Sequence, residues 1–370
     1  MSTKTTDLSK FKKSLTDKLG IPVGFADPKI WLDTGNYALN RLISGSYENG
    51  VPLGKVTMLA GESGSGKSLL AATVMKSAQS REDKPFILLL DSEGAGDEEW
   101  LSNAGVDVQD ENNFLRAPVF TVDDCTKVVA SFVKEVASQN PERPYLVVMD
   151  SLGMLETESG QENFLKGTNK GDQGQLAKQL KRFIKNCIYL VEQKNVGILC
   201  TNHTYDSQDM FNPDQKVTGG NGVVYASSIV IATKKAKLKE VSNGQEYEAT
   251  STGVHGIRIN AMVYKSRFAK PFEKTIIEVP WSGGIDPYSG LIDLFEQDGL
   301  FEKVGNKLQY IDKEGNEHKY FRKSIPTDLL DQMMAENPYS MSRRDKEELH
   351  NREKQMSLAE LDEDEESNED

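Results

Sequence analysis

The residues with the clearest chemical capability form one run of eight, Gly61-Glu62-Ser63-Gly64-Ser65-Gly66-Lys67-Ser68. Its small residues let backbone N–H groups close around phosphate oxygens, its lysine neutralises their charge, and its last serine offers a hydroxyl to Mg2+. A helix that starts at the lysine aims its positive end at the same phosphates. The pattern therefore implies binding and hydrolysis of a nucleoside triphosphate, with ATP and Mg2+ as ligands.

Hydrolysis needs two further groups. Asp150 closes the apolar run Tyr145 to Met149 and has the position of a Walker B carboxylate, which holds Mg2+ through water. Glu93 follows the run Phe86 to Leu90 and should stand at the rim beside the nucleotide, where it could orient the attacking water. Taken singly, each has a plainer reading: a strand-end aspartate capping the next turn, and a solvated carboxylate.

Positioning these groups requires a sheet. Val56 to Ala60, Phe86 to Leu90, Tyr145 to Met149 and Gly197 to Cys200 are short buried runs separated by helical segments at Leu69 to Ser80, Asp123 to Ala137 and Gln175 to Lys194. That alternation predicts a parallel sheet with crossover helices, whose polar chemistry collects at the C-terminal strand ends. Ser228 to Lys234, Gly256 to Lys265 and Phe272 to Val279 follow without helix-sized insertions and read as an antiparallel extension.

The chain divides at Gly283-Gly284-Ile285-Asp286-Pro287. Residues 30–286 are the expected core. Residues 287–345 are a small C-terminal domain with a helix at Ser289 to Gln297, a hairpin around Asp312 to Asn316 and a helix at Thr327 to Asn337. Residues 1–29 carry a short amphipathic helix with Leu8, Phe11, Leu15 and Leu19 on one stripe, which either packs on its own domain or docks on a neighbouring subunit. Residues 346–370 are charged and read as a disordered tail.

The net charge of −13 argues against a nucleic-acid partner until its distribution is considered. Eight acidic residues lie between Leu358 and Asp370, so the remaining body carries about −5 and can present a basic face. The tail is read as a solubilising end, with competition against DNA as the sharper alternative. Cys125, Cys187 and Cys200 fall in no CxxC pair and read as reduced core thiols, and no apolar stretch approaches a membrane span. The expected compartment is the cytoplasm.

These motifs occur in the order found in the RecA family of DNA strand-exchange ATPases, and the chain resembles that family from about residue 30 to 345, within it the UvsX branch of T-even-like phages. Gly61 to Ser68 resembles the family P-loop, Asp91-Ser92-Glu93 its catalytic glutamate segment, and Val147 to Leu152 its Walker B strand. Thr201-Asn202-His203 is similar to the nucleotide sensor, with histidine where bacterial members carry glutamine. Met210-Phe211-Asn212-Pro213 with Thr218-Gly219-Gly220-Asn221 resembles the second DNA-binding loop, and Gly283 to Gly290 resembles the domain junction of the phage branch.

The resemblance implies an α/β fold: a RecA-like P-loop ATPase core, with a mixed, mostly parallel sheet and an antiparallel extension, plus a small C-terminal α/β domain. It implies that Trp100 stacks on adenine, with core packing as the alternative, and that Asp97 is a weaker adenine contact. By the same resemblance, His203 links ATP to DNA binding, and Lys265 and Arg267 reach the ATP of the next subunit. Lys181, Lys185, Gly219 and Gly220 would contact DNA phosphates, and Met210 and Phe211 would lie in the DNA-binding loop, Phe211 wedging between bases. Glu156 to Gln173 and Tyr205 to Val217 are the expected DNA loops. The implied partners are single-stranded DNA, homologous duplex DNA, further copies of the chain in a helical filament, a recombination mediator and a single-strand-binding protein. A ring-forming helicase of the same fold is the rival reading.

Overall fold

A computed structural model describes residues 8–19, 23, 25–94, 97–168, 174–206, 215–239, 241–242, 245–246, 254–280 and 284–337. Met210, Phe211 and the acidic tail lie outside the described residues.

In chain order the main elements are α1 (Ser9–Leu19), α2 (Tyr37–Ser44), β1 (Val56–Gly61), α3 (Lys67–Gln79), β2 (Phe86–Asp91), α4 (Glu98–Asn103), β3 (Phe114–Pro118), α5 (Val122–Ser131) and β4 (Tyr145–Asp150). There follow α6 (Glu158–Leu165), α7 (Gln175–Val191), β5 (Val196–Asp206), β6 (Gln215–Val217), α8 (Asn221–Ala226), β7 (Ile229–Lys239), β8 (Val254–Lys265) and β9 (Lys274–Pro280). The C-terminal part contains α9 (Leu291–Gln297), β10 (Glu302–Val304), β11 (Lys307–Ile311), β12 (Glu317–Tyr320) and α10 (Thr327–Glu336).

The principal sheet has nine strands along the path β9-β8-β7-β1-β5-β4-β2-β3, with β6 paired to β5. All pairs from β7 to β3 are parallel, whereas β7–β8, β8–β9 and β5–β6 are antiparallel. This is the expected mixed sheet with its antiparallel extension. The chain leaves β1 for β2 across two intervening strands, so β1 lies between two strands made much later, β5 and β7. A crevice at the C-terminal end of β1 results.

Strand residues alternate between two apolar layers. Leu59, Leu89, Val148, Leu199 and Ile231 face α2 and α3, while Met58, Leu88, Leu90, Val147 and Cys200 face α5 and α7. Helix α7 contributes Leu180, Phe183, Ile184, Cys187 and Val191 at 3.6-residue spacing. Each such side chain stabilises the fold by about 1.5–3 kcal/mol relative to exposure. All three cysteines are buried and free, as their sequence setting implied.

Two features depart from expectation. Glu156 to Gln173 was expected as a loop, yet it contains α6, N-capped by the Thr157 hydroxyl, which accepts from Gly160 N at 3.0 Å. Polar composition concealed it, because α6 has no buried residue to generate an apolar stripe. Strand β5 also continues past Cys200 to Asp206, since β6 folds back and satisfies its edge.

The C-terminal elements build a third apolar cluster of Leu291, Phe295, Phe301, Leu308, Tyr310, Leu330 and Met333, together with Tyr47 from just beyond α2. Asn36 Nδ2 donates to the carbonyls of Asp286, Pro287 and Ser289. Arg41, fully buried on α2, pairs with Glu273 and with Asp298, reaching Asp298 Oδ2 at 2.5 Å and Oδ1 at 2.9 Å. No helix among the described residues is long and apolar enough to cross a membrane.

Candidate active site

The loop from Gly61 to Ser68 turns β1 into α3, and neighbouring strands fix its shape. Gly61 lies in register with His203 on β5 and Thr233 on β7. A Cβ at Gly61 would stand 2.3 Å from Thr233 Oγ1, so only glycine allows β7 this close. Ser65 Oγ hydrogen-bonds Thr233 Oγ1 at 2.9 Å. Gly66, at φ 86°, begins α3 in a left-handed conformation that disfavours other residues, and a Cβ there would meet Ile259 Cδ1 at 2.3 Å.

Lys67 is buried, and its ammonium donates to the carbonyls of Gly61 at 3.0 Å and Glu62 at 2.8 Å. Burial lowers its pKa, while Glu93 and Asp150 act in the opposite direction. Asp150 accepts from the Thr201 hydroxyl, and the nearby Ser68 hydroxyl also favours its charged form. Its pKa is raised, chiefly by burial and further by the negative charges of Glu93 and Asp91, despite those hydroxyl donors.

Glu93 meets His203 across the crevice, with Oε1 and Nε2 2.8 Å apart and both side chains one-quarter exposed. The same strand end connects to the segment expected to meet DNA. Thr218 N donates to His203 O at 2.9 Å, and Asn202 Nδ2 donates to Thr218 O at 2.9 Å. Gly219 and Gly220 follow immediately, with φ of 83° and 70°. A Cβ at Gly219 would lie 2.7 Å from Val223 Cγ2 and 3.1 Å from Leu180 Cδ1, so this turn is pressed between α8 and α7.

The site therefore gathers Gly61 to Ser68, Glu93, Asp150 and His203 at one sheet end. Trp100 sits on α4 and packs partly buried on the first core cluster. With Ser68, Asp91 and Asp150 it lines a cavity of about 10 Å3, the size of one water. Asp97 caps α4, its Oδ1 accepting from Trp100 N at 2.6 Å. Lys181 and Lys185 are exposed on α7, as are Lys178 and Arg182. Lys181 lays its aliphatic stem over Gly222 of α8, where a Cβ would be 2.7 Å from its Cδ.

Lys265 and Arg267 are not brought to this site. Lys265 pairs in register with Val230, three residues below Thr233 on β7, so its backbone lies roughly 10 Å from the row of Gly61. Its ammonium caps the C-terminal end of α8, donating to the carbonyls of Val224 at 3.1 Å, Tyr225 at 2.7 Å and Ser227 at 2.6 Å. Burial and neighbouring Arg267 lower its pKa. Arg267 is exposed.

Sequence reasoning gave no individual role to several residues that shape the site. Thr201 holds Asp150, Thr233 holds Ser65, and Lys235 Nζ donates to Ser63 O at 2.8 Å. Thr233 and Lys235 share one side of β7, so the alternation of that strand would have revealed them had β7 been known to flank β1. Asp91, named only within the glutamate segment, and Arg116 were given no role either. Arg116 donates to Asp91 Oδ2 from Nε at 3.1 Å and Nη2 at 2.6 Å.

A phosphate-binding turn backed by a carboxylate pair, on a sheet that ends in antiparallel strands, agrees with the comparisons. The model of the RecA N-terminal domain matches residues 26–286. The chain belongs to the RecA family. Its similarity extends to the recombination and repair protein of Enterobacteria phage T4, which is 28% identical over 285 residues covering 76% of this chain and 67% of that protein. It extends equally to the RecA proteins of Aquifex aeolicus, 25% identical over 283 residues (76% and 74% of the two chains), and Thermus aquaticus, 24% identical over 287 (76% and 77%). The RecA N-terminal match covers the whole nucleotide crevice.

Proposed function

We propose that this RecA-family chain is an ATP-dependent DNA recombinase, which polymerises on single-stranded DNA and exchanges strands with a homologous duplex in recombination, repair and recombination-dependent replication. The observation that carries the reading is the continuity from Glu93 through His203 to Thr218-Gly219-Gly220, which joins a phosphate site to a half-buried turn flanked by the exposed basic side chains of α7.

In this reading the amides of Gly61 to Ser68 and the Lys67 ammonium bind the triphosphate of ATP, Trp100 and Asp97 serve the adenine, and Glu93 orients the attacking water. The residues fit a hard divalent ion: Ser68 and Asp150 present adjacent oxygens, and the Asp150 carboxylate is burdened by negative neighbours that a cation would relieve. Ser68 and Asp150 would hold Mg2+, which supplies charge neutralisation for the phosphates. His203 engages the Glu93 carboxylate; exchanging that partner for the terminal phosphate of ATP would shift the backbone that holds Thr218. Lys181, Lys185, Gly219 and Gly220, with Met210 and Phe211 of the preceding loop, would contact DNA.

Lys265 lies too far along β8 to serve its own Lys67, and Arg267 follows beyond the end of that strand, which supports a role for both at the ATP of the next subunit. The exposed Leu8 and Phe11 of α1 would then dock on a neighbour. Residues 30–286 act as the ATPase core, 287–345 as a small C-terminal domain and 346–370 as a tail. A mediator and a single-strand-binding protein are the expected partners, in the cytoplasm of a host cell if the chain is phage-encoded.

The test is ATP hydrolysis with and without single-stranded DNA, paired with electron microscopy. Filaments and strong stimulation are expected. Closed rings would favour a helicase of this fold, and hydrolysis indifferent to DNA would overturn both readings.

A further inference from the structure

Asp91 ends β2 in register with Asp150, its side chain 3% exposed. Both of its carboxylate oxygens are committed. Oδ1 accepts from Glu93 N at 3.1 Å and Gly94 N at 2.9 Å, closing a turn around the Glu93 backbone. Oδ2 accepts the two bonds from Arg116, whose side chain is 36% exposed on β3, the outermost strand on that side of the sheet. Ser92 anchors the intervening residue: its N donates to Asp150 O at 2.9 Å, and its Oγ donates to Ser151 O at 2.6 Å.

A glutamate that must hold one water in line with a phosphate depends on its backbone being fixed, because small displacements of a catalytic group carry large rate costs. Here the fixing is done by a buried anion. Such an anion is costly unless paired. Arg116 supplies the pairing with two donors in one plane, which also determines the rotation of the carboxylate and hence where Oδ1 meets the Glu93 amide.

We infer that Asp91 and Arg116 are positioning residues for ATP hydrolysis, Asp91 mounting Glu93 and Arg116 setting the mount from the edge of the sheet. The inference rests on Glu93 being the group that orients water. Both Asp91 carboxylate oxygens are taken up by the Glu93 turn and Arg116, so the effect of the pair should fall on turnover and not on binding.

The experiment measures DNA-stimulated ATP hydrolysis, nucleotide affinity and melting temperature for Arg116→Ala, Arg116→Lys, Asp91→Asn and Glu93→Gln. Arg116→Ala, at a surface site, should lower kcat about tenfold while leaving the KM for ATP within about twofold. Arg116→Lys, which keeps the charge and one direction of donation, should recover part of that loss. Placed on a Glu93→Gln background, Arg116→Ala should cost no further activity. Unchanged kcat in Arg116→Ala, with Glu93→Gln inactive, overturns the positioning role and leaves Glu93 in place. Loss of nucleotide affinity and melting temperature in step with kcat, unrelieved by Arg116→Lys, overturns it in favour of a structural role. An active Glu93→Gln overturns both.

Discussion

His203 Nε2 and Glu93 Oε1 stand 2.8 Å apart, bridging the ends of two strands that are not neighbours in the sheet. The contact joins the group expected to handle water to the strand whose next hydrogen bond holds Thr218.

His203→Ala should therefore uncouple the two ends. In the parent chain ATP is expected to raise affinity for single-stranded DNA by a factor within the ~5–150-fold range of ordinary allosteric coupling. The variant should bind DNA with nearly the same affinity whether ATP is present or absent. Fluorescence anisotropy of a labelled oligonucleotide measures both states, and a variant as responsive as the parent would remove His203 from the link.

Mixing two inactive variants tests the shared site. Lys67→Ala and Arg267→Ala should each abolish hydrolysis alone. Combined in equal amounts, they should restore about a quarter of the sites, because an intact P-loop then meets an intact Arg267 at one interface in four of a randomly ordered filament. Arg267 suits this test better than Lys265, whose ammonium also holds the end of α8. A mixture no more active than its components would place Arg267 outside the site.

Asp150 gives a pH dependence of known sign. Burial raises its pKa, so the folded chain binds a proton there more readily than the unfolded chain. Stability from this group is present below the usual carboxylate pKa and falls as pH rises through the raised value. Without nucleotide at neutral pH the ionised Asp150 is a cost, and Asp150→Asn should raise the melting temperature by about 1–3 °C while eliminating hydrolysis. The difference should shrink as pH falls towards the ordinary carboxylate range. A variant less stable than the parent at neutral pH would contradict the sign.

The exposed lysines of α7 are expected to act through phosphates. Lys181→Ala with Lys185→Ala should weaken single-stranded DNA binding for every sequence and reduce the slope of log K against log salt by about 0.7 for each phosphate no longer neutralised. Lys178→Ala with Arg182→Ala, on the same helix face, provides the comparison; equal losses from both pairs would indicate diffuse attraction instead of defined pairing with phosphates.

How much of this could be read from the sequence depended on where the information resides. The strand carrying Tyr145 to Asp150 and the loop from Gly61 to Ser68 encode themselves locally, in an apolar run and a glycine spacing. Thr201 beneath Asp150, and Thr233 beside Ser65, depend on β5 and β7 flanking β1, and strand order is not written in any one segment. Strand β3 was missed because four of its five residues are not buried. Without β3 there was no reason to connect Arg116 with Asp91, twenty-five residues earlier. The cis-acting part of the site was thus legible, and its bracing was not.

The burial of Arg41 has an implication for how the chain can be divided. Its guanidinium is shared between Glu273, which precedes the junction, and Asp298, which follows it. Scission near Asp286 would leave Asp298 in one fragment without its cation, and Arg41 in the other with Glu273 alone to offset its charge. The buried Arg41 thus ties residues on both sides of the junction expected from the sequence to one shared charge.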